Sequence, residues 1–145
     1  TEANISLAKI KSTLNKKGTL ESETERYLGS LFQDAKIIDR AENHFRNAYK
    51  LDPQNIKNVF YLARFLINYD RNVNEGMEII HKGLEIKPDY IELFAIEGWG
   101  CYKQGKYEEA LKLLKQAEEK SFEFSFELYQ NIETVKKAVA SQKNN

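Results

Sequence analysis

Two histidines and one cysteine are the side chains of this sequence best suited to acid–base, nucleophilic or metal-binding chemistry. Zinc sites draw on closely spaced Cys and His residues, and a nucleophilic cysteine needs a base beside it. His44, His81 and Cys101 instead lie far apart, and no glycine-rich phosphate loop or nucleophile elbow accompanies them. Each histidine adjoins a predicted core position, so surface or groove-edge roles are favoured for both, and Cys101 occupies such a position itself. The sequence therefore predicts no enzyme, metal site or cofactor.

Composition limits the classes of partner that fit the chain. Its 22 basic and 22 acidic residues cancel, and the sequence contains no basic stripe. Because nucleic-acid-binding domains usually carry a basic excess, the balance predicts no nucleic-acid partner. No apolar run reaches the ~20 residues that cross a bilayer, so no membrane span is predicted. Charged residues make up 30% of the chain, with 7 Gly and 2 Pro, which is typical of long helices joined by short turns.

The compartment stays open at this stage. The single cysteine excludes an internal disulfide and is compatible with a reducing compartment, which slightly favours the cytoplasm. A start at Thr1 is compatible with an excised fragment or a processed form, and a periplasmic or secreted location after removal of a signal peptide fits as well. The oligomeric state is not defined by the sequence.

Small residues recur at an interval of 34 to 35 residues, the period of a helical-pair repeat. In the three copies they are Ala41 and Ala48, Gly76 and Gly83, and Ala110 and Ala117. Between them lies one large apolar side chain, Phe45, Ile80 or Leu114. A small residue at a contact lets two helices approach closely, so each copy is predicted to be an antiparallel helix pair. Pro53 and Pro88 would end the first two copies, Phe122 replaces proline in the third, and one extra residue is predicted in the turn at 70–74.

The apolar spacing within each copy is helical. It predicts helices over residues 22–34, 38–51, 55–69, 73–86, 90–103 and 107–120. Ser22 with Glu25 and Asn72 with Glu75 have capping-box spacing at two of the starts, and Gly105 separates the last two helices. A leading helix over 3–16 is predicted from Ile5, Ala8, Ile10 and Leu14, ended by Lys16-Lys17-Gly18. A C-terminal capping helix over 125–141 is predicted from Leu128, Ile132, Val135 and Val139.

Residues 22–124 resemble three tetratricopeptide repeats. The third copy carries the family pattern most fully, through Gly98, Cys101, Gly105, Tyr107, Ala110, Leu114 and Ala117. The middle copy has glycines in place of the alanines, and the tryptophan typical of the first helix is missing from all three. The resemblance implies one all-α domain, a right-handed αα-superhelix of antiparallel helix pairs with repeats at 22–55, 56–90 and 91–124. The leading helix and the capping helix would flank these repeats.

The resemblance also implies a function. Family members are mostly adaptors that bind an extended peptide or a helix in a concave groove lined by the first helix of each pair, without a cofactor. The chain is therefore expected to be a protein–protein interaction module whose partner is a protein or peptide. By the family pattern the groove residues are Arg26, Ser30, Gln33, Lys57, Phe60, Arg64, Asn68, Ala95, Trp99, Tyr102 and Lys103. Their cations and aromatic rings predict a ligand with a carboxylate and an apolar side chain, although packing of Trp99 against the capping helix stays open.

Some family members hold the C-terminus of a chaperone with a two-carboxylate clamp. Arg26 fits one clamp position, but Ser30, Tyr61, Glu92 and Ile96 stand at the others, so no such clamp is predicted. Two other functions stay open: a regulatory or substrate-positioning domain of a larger enzyme, and RNA binding by a related helical repeat. The neutral charge argues against RNA.

Overall fold

Seven helices follow one another in the computed structural model, which describes the backbone of residues 2–145 and the side chains of Lys9, Ser12 and residues 16–145. They are α1 (Glu2–Asp34), α2 (Ile38–Leu51), α3 (Ile56–Asn68), α4 (Val73–Ile86), α5 (Ile91–Lys103), α6 (Tyr107–Lys120) and α7 (Phe126–Lys143). No strand occurs within residues 2–145. The chain divides into two units, Thr1–Leu62 and Ala63–Asn145, with the boundary inside α3.

The helix bounds confirm most of the periodicity analysis. Helices α2, α4 and α6 begin and end at the predicted residues, and α3 and α5 differ from prediction by one residue at each affected end. The turn at 69–72 is one residue longer than those at 35–37 and 104–106, which confirms the predicted insertion. Lys36, Asp70 and Gly105 take left-handed backbone angles, with φ of 61°, 52° and 80°, at corresponding places in the three turns.

The predicted break after the leading helix is wrong. One helix, α1, runs without interruption from Glu2 to Asp34. A single glycine such as Gly18 lowers helix stability by about 1 kcal/mol without ending a helix. Ser22 does not cap a helix start; its hydroxyl donates to the carbonyl of Thr19 at 2.9 Å, as a buried serine inside a helix must. The side chains predicted to carry the leading helix, Ile5, Ala8, Ile10 and Leu14, lie outside the described residues.

Within the first unit, α1 and α2 pack through the predicted small residues. Ala41 and Ala48 are fully buried, and the ring of Phe45 between them is 1% exposed. A Cβ placed on Gly29 would lie 2.7 Å from that ring, which is closer than side chains tolerate. Glycine at 29 is therefore what allows the two helices to approach this closely.

The first unit also contains a buried polar side chain that periodicity does not indicate. Asn58 is 1% exposed, and its Nδ2 lies 3.1 Å from three acceptors, the hydroxyl of Ser22 and the carbonyls of Ala48 and Asp52. Its Oδ1 accepts a 2.6 Å hydrogen bond from Nη1 of Arg26. Asn58 thus joins the start of α3 to α1 and to the end of α2. A satisfied polar group of this kind fixes one arrangement of the three helices.

The second unit repeats the small-residue contacts. A Cβ on Gly98 would lie 2.8 Å from Cγ of Leu114 and 3.1 Å from the carbonyl of Ala110, and one on Gly76 would lie 2.8 Å from Ile67. Leu128, Ile132 and Val135 are buried where α7 packs on α6, as predicted for the capping helix. The side chain of Ser125 caps α7 by accepting from the backbone N–H of Leu128 at 3.3 Å. Among the described residues, no helix has the length and apolar character that crossing a bilayer requires.

Substituting Ala110 with leucine is expected to lower the free energy of unfolding by about 1–3 kcal/mol, because the added atoms have no space between α5 and α6. Ala110 is fully buried. Thermal melts or urea titrations would measure the change. The matched control is Ala140→Leu at an exposed site on α7, which should change stability by about 0.5 kcal/mol or less. Equal stabilities for the two variants would contradict the packing described for α5 and α6.

Candidate functional site

Two aromatic side chains on α5 stack on each other in the second unit. The rings of Trp99 and Tyr102, one helical turn apart, stack with centroids 4.6 Å apart and planes at 24°. Both side chains are partly exposed. Nζ of Lys103 lies 5.8 Å from the Trp99 ring, and Tyr107 packs beside Tyr102 at 5.6 Å. Rings held in this way lose little side-chain entropy when a ligand packs on them.

Lys103 is fixed by the turn between α3 and α4. Its Nζ donates to both carboxylate oxygens of Asp70, at 3.0 and 3.1 Å. Asp70 is the residue with left-handed φ in that turn. The ion pair neutralises the positive charge of Lys103 and holds its side chain next to Trp99.

A second ion pair joins α3 to the start of α7. Nη2 of Arg64 lies 3.1 Å from Oε2 of Glu127, and the two side chains are 38% and 52% exposed. Exposed pairs of this type contribute about 0–1 kcal/mol to stability. The Arg64–Glu127 pair therefore contributes little to the stability of the second unit.

A depression of about 370 Å³ lies beside Ala95, one turn before Trp99 on α5. Its lining comes from the first turns of α5, from the segment between α6 and α7, and from Leu128: Ile91, Glu92, Ala95, Ser121, Phe122, Glu123, Ser125 and Leu128. The small side chain at Ala95 leaves this space open. Ala95, Trp99 and Tyr102 follow one another along one stripe of α5 and are here called the α5 surface. Asn68, also predicted as a groove residue, is partly exposed on α3.

The predicted groove residues of the first unit are largely engaged within it. Arg26 donates to Asn58, and its guanidinium lies 5.7 Å from the centre of the Tyr61 ring. The hydroxyl of Ser30 donates to the carbonyl of Arg26 at 3.2 Å. The ring of Phe60 meets that of Tyr61 edge-on at 5.6 Å.

Lys57 is exposed and Gln33 is partly exposed. Of the four predicted groove cations, Arg26, Arg64 and Lys103 have partners within their own units. Arg64 and Lys103 are paired with carboxylates, whereas Arg26 bonds to a neutral amide and Lys57 is exposed, so the positive charge expected at the groove is only partly neutralised. The rings of Trp99 and Tyr102 contact each other, as their spacing on α5 predicts. Assignment of these residues to a ligand groove stays a prediction.

Ile96, one of the residues at the clamp positions, lies in the core of the second unit. Ile96 is 6% exposed and packs inside the second unit, so it cannot face a ligand. Ala95, Glu97 and Trp99 are the partly exposed residues of that turn, and none of them supplies a positive charge for a carboxylate. The prediction that the chain has no two-carboxylate clamp stays a prediction.

Four exposed aromatic side chains near the start of α7 were missed by the sequence analysis. Phe122, Phe124, Phe126 and Tyr129 are 102%, 79%, 63% and 47% exposed. In the sequence, aromatic residues stand at the alternate positions 122, 124 and 126, and this pattern could have indicated the patch. Phe122 was interpreted only as a replacement for proline. Phe122 lines the depression beside Ala95, and the other three add exposed apolar surface near the start of α7.

The histidines and the cysteine occupy structural positions. Nδ1 of His44 lies 2.6 Å from Oε2 of Glu25, and the His44 ring stacks on Phe32 at 5.1 Å. Nε2 of His81 lies 3.2 Å from Oε1 of Glu97. Among the described side chains, no group of three or more Cys, His, Asp or Glu residues is placed to share a metal ion.

Cys101 is expected to react slowly with Ellman's reagent in the folded protein. Burial, and then the charges of Glu109 and Glu97, raise the pKa of its thiol from 9.0 to about 11, which lowers the reactive thiolate about a hundredfold at neutral pH. Because the folded state holds this proton more tightly than the unfolded state, stability should also fall as pH rises from 9.0 towards 11. The rate at which Cys101 reacts with the reagent, measured in native buffer and in denaturant, tests the predicted slow reaction. Equal rates in the two solvents would contradict burial of the thiol.

Comparison with solved structures identifies the arrangement of these helices. No protein-family model and no curated protein matches the chain. The first TPR domain of human RPAP3 aligns with a TM-score of 0.74 over 86% of this chain and 97% of its own length, at 17% identity. The first TPR domain of Spaghetti (RPAP3), bound to the HSP90 peptide SRMEEVD, gives 0.72 over 84% of this chain and 95% of its own, at 16% identity.

The TPR2B domain of yeast Sti1, solved as a complex with pHsp70, gives a TM-score of 0.69 over 81% of this chain and 98% of its own, at 17% identity. The chain has a tetratricopeptide-repeat fold. The all-α solenoid of helix pairs predicted from the sequence is thereby confirmed as the fold class. At these identities the likeness of the TPR structures establishes the fold alone.

Proposed function

We propose that this TPR-fold chain is a non-catalytic interaction module that binds an extended peptide segment on its α5 surface. The observation that carries the proposal is the partly exposed Trp99–Tyr102 stack, held in place by Lys103 and Asp70. Trp and Tyr are the residue types that most often dominate binding energy at interfaces. The HSP90 peptide bound by the Spaghetti domain and the pHsp70 complex of the Sti1 domain support the same class of partner.

The spacing of side chains on α5 supports an apolar pair in the proposed ligand. Ala95 and Trp99 are four residues apart, which corresponds to about 6 Å along a helix. Alternate side chains of an extended peptide are about 7 Å apart on one face. A peptide with two apolar residues separated by one residue would therefore place one side chain in the depression beside Ala95 and the other on the Trp99–Tyr102 stack.

The charges beside α5 define a weaker preference. An acidic ligand residue can bind Lys103 or Arg64 either by replacing Asp70 or Glu127 or by sharing the cation with that carboxylate, and the side chain of Asp70 is 66% exposed. Because such pairs contribute about 0–1 kcal/mol, the exchange is nearly neutral in energy. Apolar side chains, rather than carboxylates, should therefore dominate affinity.

A random peptide library displayed on phage tests this function with the full chain as bait. We expect enriched sequences to contain the apolar–x–apolar pattern, with only a mild acidic preference. The HSP90 peptide SRMEEVD serves as the comparison ligand and should bind at least about tenfold more weakly, because the proposed site lacks paired cations for two carboxylates. Enrichment of sequences without an apolar pair, or tight binding of SRMEEVD, would contradict the proposed ligand class.

A further inference from the structure

One face of α1 carries an exposed stripe of side chains in the first unit. Leu20 and Tyr27 are each 64% exposed and Leu31 is 45% exposed, and Thr24 between them is also exposed. The spacing of these four residues is 4-3-4, which is the heptad spacing of a coiled-coil seam. At this spacing all four lie along one side of the helix.

The opposite face of α1 is the one that packs into the first unit. Ser22 is fully buried there, and Gly29 packs against Phe45. These residues lie about half a turn around the helix from Leu20 and Tyr27. The stripe is therefore a second apolar face, separate from the one that holds α1 in the fold.

We propose that the stripe pairs antiparallel with the same stripe of a second copy of this chain. In the register that centres the seam, Leu20 faces the second copy's Leu31 and Thr24 faces the second copy's Tyr27. Two-fold symmetry repeats both contacts, as in any isologous dimer. All four seam positions of each helix are then covered.

Charge at the two ends of the seam favours this orientation. The antiparallel register places Lys17 opposite the second copy's Asp34, once at each end. Lys17 also lies 3.7 Å from Glu21 of its own helix, and both side chains are at least half exposed. An ammonium group has three N–H donors, so it can bind both carboxylates.

The other charged residues of this part of α1 are compatible with the antiparallel register. Glu21 and Glu23 lie opposite the second copy's Ser30 and Leu28, whereas Glu25 and Arg26 bond to His44 and Asn58 of their own unit, so no carboxylate faces another carboxylate. A parallel pair would instead place Lys17 against Lys17 and Asp34 against Asp34. Like charges placed opposite one another in this way destabilise a helix pair.

Sedimentation equilibrium of the full chain over a wide concentration range tests the proposal. We expect a reversible monomer–dimer equilibrium, with a dissociation constant raised at least about tenfold by Tyr27→Glu. Circular dichroism should show that the variant remains folded, because Tyr27 is mostly exposed. The control Glu118→Lys, at an exposed site on α6, should leave the equilibrium unchanged. A monomer at every concentration, or a dimer insensitive to Tyr27→Glu, would overturn the proposal.

Charge exchange tests the orientation. Lys17→Asp and Asp34→Lys should each weaken the dimer, whereas the double variant should restore it, because the antiparallel register pairs these two positions. In a parallel pair each position faces itself, so restoration is not expected, and its absence would exclude the antiparallel register. Peptide binding by Tyr27→Glu is expected to be unchanged, so this result and the proposed function can fail independently.

Discussion

Replacing Trp99 with alanine is expected to weaken binding of a library-selected peptide by at least about 30-fold, which corresponds to about 2 kcal/mol. Trp99 contributes the larger ring of the stack with Tyr102, and its partial exposure leaves that ring accessible to a ligand. The substitution removes the surface on which the apolar ligand side chain would pack. Isothermal titration calorimetry with the same peptide measures the change.

The control for this result is Tyr49→Ala, which removes a partly exposed aromatic ring from α2 in the first unit. It should leave the affinity within about twofold of the original chain, because the proposed site lies on α5. If the Trp99 and Tyr49 variants weaken binding equally, the ligand does not use the α5 surface. Melting curves of both variants would show whether the remaining protein is folded.

Replacing Asn58 with leucine is expected to lower the free energy of unfolding by about 3 kcal/mol. Leucine removes the acceptor for Arg26 and the donor group that serves Ser22, Ala48 and Asp52. Leaving a buried polar group without a partner costs more free energy than the hydrogen bond contributed to stability. A decrease of roughly 10 °C in melting temperature should accompany the loss.

Asn47→Leu provides the matched control for Asn58. Asn47 is exposed on α2, and its Nδ2 makes one long contact of 3.4 Å with Glu25. The same chemical change at this position should alter stability by about 0.5 kcal/mol or less. Similar losses for the two variants would show that the hydrogen bonds of Asn58 do not join α1, α2 and α3 as described.

The spacing of small and apolar residues predicted the helices well because these residues form the buried contacts between the helices. Small residues at the predicted interval lie against large apolar side chains of a neighbouring helix, as Gly76 lies against Ile67. The break predicted at Lys16-Lys17-Gly18 was wrong because charge and glycine weaken a helix locally without ending it. Capping-box spacing was equally ambiguous: Asn72 caps α4, whereas Ser22 bonds within α1.

The candidate site was only partly accessible to sequence reasoning. Stacking of Trp99 and Tyr102 follows from their three-residue spacing on one helix. The neutralisation of Lys103 and Arg64 depends on Asp70, from a turn, and Glu127, 63 residues away in sequence from Arg64. Such pairings depend on how the helices pack, which periodicity does not specify. The internal hydrogen bond of Arg26 to Asn58 was missed for the same reason.

Fluorescence of Trp99 during titration with a selected peptide tests the central claim most directly, because Trp99 is the only tryptophan in the chain. If the peptide packs on the α5 surface, the emission of Trp99 should shift or change in intensity and saturate with the dissociation constant found by calorimetry. A peptide that binds by calorimetry while the emission of Trp99 stays unchanged would contradict the assignment of the binding site to α5.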